Sequence, residues 1–215
     1  MESRTESRWP ALLIILAMFF LLAVLPERIR LLPLWIPVAS GIAVIVPILG
    51  VALAAHKTRW LFVERSVTFF FFIFVGLGNI ANLANLIIHM VQRSAGVTGL
   101  QLLTSSIAVW VTNVMAFSLA YWQMDRGGPE ARAHKTGKMP DWLFPQEGAG
   151  EGAPEGWQPT FVDYLFLGFT AASSFSPTDT LPLTPRAKIL MMLESSISLV
   201  TIVVVASRAI NILGS

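Results

Sequence analysis

The chain has 215 residues, of which 54% are apolar and only 13% charged, with a net charge of +2, whereas soluble domains carry about 25% charged residues. Together with a mean hydropathy of +0.66 and apolar runs of about 15 to 26 residues, this excludes an ordinary soluble domain and points to an integral membrane protein. No cysteine is present, so disulfides and thiolate metal sites are excluded, and the basic residues lie between apolar runs, where they report topology and not nucleic-acid affinity.

In chain order, a first span is expected over about Pro10 to Leu25, closed by Pro26 and the charged Glu27 to Arg30. No small-x-small cleavage site follows it, so it is read as a retained helix and not a signal peptide. A second span covers about Leu34 to Ala55, with a kink expected at Pro47, where a missing amide frees a carbonyl. His56 to Ser66 mixes Lys57, Arg59, Glu64 and Arg65 with Trp60, Leu61, Phe62 and Val63. That composition suits an interfacial segment or a simple turn.

A third span, about Val67 to Val91, carries Asn79, Asn82, Asn85 and His89. At about 100° per residue they share roughly a third of the helix circumference. Hydrogen-bonded bracing between helices is the first reading of this cluster, and a water-lined pathway the second. A metal site is not expected, because His89 lacks a second strong ligand. The fourth span, about Leu100 to Trp122, is dotted with Thr104, Ser105, Ser106, Thr112, Asn113 and Ser118, and Tyr121 and Trp122 read as an aromatic belt at its exit.

Residues 123–160 change character, with glycines at 127, 128, 137, 148, 150, 152 and 156 and six acids against four bases. They read as an aqueous loop, with Trp142, Leu143 and Phe144 resting on a membrane or on a neighbouring subunit, and with a mobile Gly-Glu part. Phe161 to Phe175 is apolar but shorter than the roughly 20 residues a bilayer crossing needs. Asp163 is placed to cap its start. A polar turn, Ser176-Pro177-Thr178-Asp179, then Pro182 and Pro185, leads into a long helix, Ile189 to Leu213. On that helix Glu194, Ser198, Thr201, Val205 and Arg208 fall within about 80° of one another, so an acid at membrane depth is expected to face protein or water.

Short helix, non-helical turn and long helix resemble the pore domain of tetrameric cation channels of the potassium-channel superfamily. On its pattern Asp179, Pro182 and Thr184 match D-x-x-P-x-T, and Ser173 and Ser174 fall on the two filter threonines. Where that family has V-G-Y-G, this chain has Phe175, Ser176, Pro177 and Thr178, so both filter glycines are absent and Pro177 fixes φ near −65°. The resemblance implies a constriction at Ser174, Phe175, Ser176, Pro177, Thr178 and Asp179, a cavity lined by Glu194, Ser198 and Thr201, a monovalent cation as the passenger and a homo-oligomer, a tetramer if channel-like. The chain is also similar to uncharacterised bacterial polytopic membrane proteins.

The expected fold is therefore an all-α integral membrane protein with five transmembrane helices plus one re-entrant pore-type half-helix, or, alternatively, six full spans. Residues 1–95 would form an N-terminal three-helix region and 96–215 the channel-like part. The five-span layout puts the N-terminus, 56–66 and 123–188 on one face, with eleven Lys and Arg against four opposite. Long loops count little in the positive-inside rule, so orientation stays open. Phosphate-loop, zinc-protease and nucleophile-elbow motifs are missing, so no enzyme, cofactor or nucleic-acid partner is expected. The location expected is an inner or plasma membrane. The rival reading is a non-conducting scaffold or accessory subunit.

Overall fold

The computed structural model describes residues 7–24, 33, 35–53, 57–92, 98–134, 139–148, 154, 156–173 and 180–213. The helices are α1 (Trp9–Val24), α2 (Trp35–Leu53), α3 (Lys57–Gln92), α4 (Gly99–Met124), α5 (Pro129–Ala133), α6 (Pro145–Gly148), α7 (Phe161–Ser173) and α8 (Pro185–Leu213). A single antiparallel ladder joins β1 (Trp142–Leu143) to β2 (Leu181–Pro182), with Trp142 opposite Pro182. Phe62–Ile88, Gly99–Gly127 and Pro185–Ser207 are long and apolar enough to cross a membrane, while Trp9–Leu21, Val38–Gly50 and Phe161–Ser173 are shorter apolar helices.

Local chemistry sets the helix ends. Thr98 caps α4 in a capping box, its hydroxyl accepting from the Gln101 amide at 3.2 Å while its own amide donates to Gln101 Oε1 at 3.0 Å. Asp163 performs the matching half of this exchange for α7, accepting from the Thr160 amide at 2.7 Å and hydroxyl at 2.8 Å. Thr184 accepts from the Ala187 amide at 3.3 Å at the head of α8, where Pro185 loses nothing by lacking an N–H. Beyond Met124 the chain turns through a 3₁₀ segment in which Arg126, Gly127 and Gly128 all have positive φ (55°, 88° and 102°). A side chain at Gly128 would also press to 3.2 Å from the Gln123 carbonyl, so glycine is required there.

Contacts between helices place their ends. Arg8, before α1, pairs with Glu64 near the start of α3 at 3.1 Å and with Glu130 beyond α4 at 3.5 Å. Phe72 of α3 stacks edge-on against Phe117 of α4 at 5.2 Å, whereas Leu86 packs with Leu102 and Val109, so α3 and α4 are antiparallel. One end of the bundle, here called the capped end, thus collects the starts of α1 and α3, the exit of α4 and the starts of α7 and α8. One apolar core runs from Ala11, Ile15 and Met18 through Phe71 and Val75 to Tyr121, Trp142, Tyr164 and Met191.

Several expectations need correction. α3 begins at Lys57, so the described part of the 56–66 segment is helical and continuous with the third span. α8 begins at Pro185, one turn before Ile189. The segment after α4 is not a loose loop with its aromatics on a surface. Trp142 is fully buried, its ring 4.8 Å from Tyr121 and its Nε1 3.3 Å from Met191 Sδ, and Phe144 packs at 5.3 Å from Tyr164. Leu143 alone of the three is exposed. Burying two aromatic faces gains more than leaving them in water, and the short ladder to Leu181–Pro182 satisfies the local backbone.

Candidate functional site

α7 and α8 are the elements that define the site. Tyr164, in the first turn of α7, donates to Asp125 Oδ2 at 2.6 Å at the exit of α4. Two turns later the Ala172 carbonyl accepts from Trp110 Nε1 of α4 at 3.4 Å, and the Ala171 carbonyl from Ser195 Oγ of α8 at 3.0 Å. α7 therefore runs antiparallel to α4 and parallel to α8. Both helices start at the capped end, and by Leu181–Pro182 the chain is back beside β1 at that same end. At about 1.5 Å per residue, the 13 residues of α7 extend about 20 Å, against about 30 Å of hydrocarbon in a bilayer.

A helix that stops inside a bundle leaves four carbonyls without intrahelical donors. Here Trp110 and Ser195 supply donors to two of them. The first turns are anchored at the capped end by a connected set of charges. Asp141, fully buried, accepts from Thr184 Oγ1 at 2.6 Å and from Arg186 Nε and Nη2 at 2.6 and 2.5 Å. Its amide donates to Asp125 Oδ1 at 2.7 Å. Arg132 Nη1 donates to the carbonyls of Trp122 at 2.7 Å and Asp125 at 3.0 Å, and its guanidinium lies 4.9 Å from the Tyr164 ring centroid. Arg126 pairs with Glu147. Bidentate arginine to a buried carboxylate is a directional contact as well as an attractive one, here with the guanidinium itself exposed, and it fixes where α8 begins relative to α7.

Between α4 and α8 lies a polar seam. Glu194, Ser198 and Thr201 are each fully buried within the single chain. Tyr121 OH donates to Glu194 Oε2, and Asn113 Nδ2 donates to Ser198 Oγ at 2.9 Å and to the Glu194 carbonyl at 3.2 Å. Thr201 returns its hydroxyl to the Ile197 carbonyl at 2.7 Å. The stripe thus faces α4 and is covered by it; in one chain it does not line an open cavity. Nor does Glu194 pair with Arg186 or Lys188. α7 seals the seam from the side, because a Cβ at Gly168 would fall on Ser118 Oγ and come within 3.2 Å of Glu194 Oε1.

Two oxygens in this seam, Glu194 Oε1 and Asn113 Oδ1, are buried without a hydrogen-bond partner, as are Thr112 Oγ1 and Ser105 Oγ elsewhere on α4. Buried acceptors without donors cost free energy unless a proton, a water or a cation meets them. Carboxylate and amide oxygens of this kind suit a hydrogen-bonded water or a hard cation. Among the described residues no group of three His, Cys, Asp or Glu is placed to hold a metal.

The other candidate residues fare differently. Asn79 is buried on α3 with its Nδ2 unpartnered, and Asn82 and Asn85 are half-buried on the same helix. The side chains of His89 and Arg208 lie outside the described residues, as do the constriction candidates Ser174, Phe175, Ser176, Pro177, Thr178 and Asp179. Asp125, Asp141, Arg132, Tyr164 and the pairing of Tyr121 with Glu194 were not legible as site features. The available signal was the demand of Glu194 for a partner, which Tyr121 and Asn113, eight residues apart on a neighbouring span, could meet. Compared with protein-family models, curated proteins and solved structures, the chain matches none.

Proposed function

We propose that this chain is a polytopic membrane protein with five spanning helices and one half-crossing helix, and that its α4–α7–α8 half is an ion-channel-like pore domain. The observation that carries this reading is that α7 and α8 leave the same end side by side while α7 stops short. The order long helix, short helix, long helix with that sense of direction is the one a pore loop requires, and it supports a constriction at 174–179. A half-crossing helix from one copy cannot enclose a pathway, so conduction would belong to a homo-oligomer, a tetramer by resemblance. A small monovalent cation is the passenger by the same resemblance.

The rival reading, a non-conducting scaffold or accessory subunit, is favoured by one observation. Glu194, Ser198 and Thr201 are covered within one chain, while the other faces of α8 expose Met192, Leu199 and Val203. An outward apolar helix serves lipid or protein contact and not ion passage. Flux through liposomes decides between them: uptake of K⁺ or Na⁺ by reconstituted protein is expected, and a monodisperse oligomer that passes no K⁺, Na⁺ or Cl⁻ at any voltage establishes the scaffold. Single cysteines test the half-crossing directly. Gln158→Cys and Leu183→Cys are expected to react with an impermeant thiol reagent from one side and Leu100→Cys from the other; reaction of Gln158→Cys and Leu183→Cys from opposite sides would mean six full spans.

A further inference from the structure

At the capped end, α3 and α4 splay apart around a cavity of about 400 Å³, within the range of small-molecule sites. Its wall combines Phe62, Phe69 and Phe72 from α3 with Ala120 and Met124 from α4, and its polar side is formed by Arg65, Ser66, Thr68, Gln123 and Arg186. Two of these polar groups lack partners where they most need them. Thr68 is 1% exposed and Gln123 7% exposed, and Thr68 Oγ1 and Gln123 Oε1 are both buried without a hydrogen bond. Arg65 is exposed at the mouth. The neighbouring Glu64 is taken by Arg8, and Asp141 holds Arg186. Arg65 makes no ion pair among the described residues, and it also borders a second cavity of about 320 Å³ shared with Phe62 and Gln123.

We propose that this cavity is a binding site for an anionic phospholipid whose headgroup carries free hydroxyls. The phosphodiester sits on Arg65 in the field of Arg186. A headgroup hydroxyl donates to Gln123 Oε1, another exchanges hydrogen bonds with Thr68 Oγ1, and an acyl chain follows Phe62, Phe69 and Phe72 along the helices. Three features select this class over a soluble anion or an apolar ligand. The Arg65 guanidinium has no acidic partner among the described residues and prefers a phosphate oxygen to water alone. The orphaned acceptors require donors that a choline headgroup does not have. The site also lies where the charged end of the bundle meets its apolar sides, the depth at which basic pockets between helices hold lipid headgroups. The proposal needs the chain to sit in a bilayer but is independent of whether it conducts.

Native mass spectrometry of the full chain in a neutral detergent tests it, with phosphatidylglycerol, phosphatidylcholine of the same acyl chains, and inorganic phosphate as the probes. Wild-type protein is expected to retain phosphatidylglycerol over phosphatidylcholine. Arg65→Gln, a change at an exposed and unpaired side chain, is expected to weaken that retention about tenfold, the scale of one lost charged hydrogen bond. Thr68→Val, which keeps the shape, is expected to lower the preference for phosphatidylglycerol about threefold while leaving the unfolding temperature in place. Equal retention of the two lipids, or equal retention by wild type and Arg65→Gln, overturns the proposal. Displacement of phosphatidylglycerol by millimolar inorganic phosphate assigns the site to the free anion and overturns it too.

Discussion

α4 and α8 are comparable in length and both apolar enough to cross a membrane, yet 61% of the apolar window of α4 is buried against 28% of that of α8. The difference tracks their polar content. α4 has a mean hydropathy of 1.6 and α8 of 2.3, and α4 buries Ser105, Ser106, Thr112, Asn113 and Ser118 where α8 buries only one stripe, Glu194, Ser198 and Thr201. A helix wrapped on all sides by protein can keep polar groups because neighbours satisfy or shield them, while a helix with outward faces must offer those faces as hydrocarbon. Of the three long apolar helices, the least apolar is the most buried.

The comparison can be broken most severely at its anchoring point. Asp125 is fully buried and accepts from the Asp141 amide and Tyr164 OH, so Asp125→Ala is expected to cost about 3–5 kcal/mol by leaving both of these buried donors without an acceptor. Denaturant unfolding in detergent reads it. The next largest effect is at Leu119, 0% exposed on α4, where Leu119→Ala is expected to cost about 2–5 kcal/mol through the cavity left behind. Its counterpart on α8 is Val203→Ala, at a side chain 60% exposed, expected within about 0.5 kcal/mol. Equal costs at the two sites would show that the outer face of α8 is buried against another chain.

Gly168→Ala sharpens the comparison on the α7 side, where the added methyl meets Ser118 Oγ, Glu194 Oε1 and the Val114 carbonyl. The same unfolding assay is expected to show a loss of about 1–3 kcal/mol. Within the seam itself, Glu194→Leu strands the Tyr121 hydroxyl and is expected to cost about 1–2 kcal/mol more than Glu194→Gln, which still offers an acceptor. If the two substitutions unfold at the same denaturant concentration, Tyr121 is not held by the side chain at 194.

Hydropathy located most of each long helix, because its middle is a mainly apolar run bounded by prolines, glycines or charges. The start of α3 was hidden because Lys57, Arg59, Glu64 and Arg65 read as a boundary, yet the segment continues the helix and places Glu64 beneath Arg8. Trp142 and Phe144 looked like surface aromatics for want of any local period, and only the three-dimensional meeting of Tyr121, Met191 and Tyr164 gives them a core to enter. Tyr121 was legible as an aromatic at a helix exit but not as the donor to Glu194, since the two are separated by 73 positions. Asn79 is buried on its helix, but its Nδ2 meets no partner, so the hydrogen-bonded bracing expected of that face is not seen for this atom.

The carbonyls of Ala171 and Ala172 have a consequence for how such a chain is assembled. Their donors, Ser195 and Trp110, come from a helix synthesised after α7 and from one synthesised before it. A nascent chain that has produced α7 but not α8 lacks the Ser195 donor to the Ala171 oxygen, and in a bilayer no water would replace it. Docking of α7 is thus completed only when α8 arrives. If the chain inserts in a bilayer as proposed, the two helices are expected to enter it together, and a truncation after Ser173 to leave α7 less firmly docked on α4.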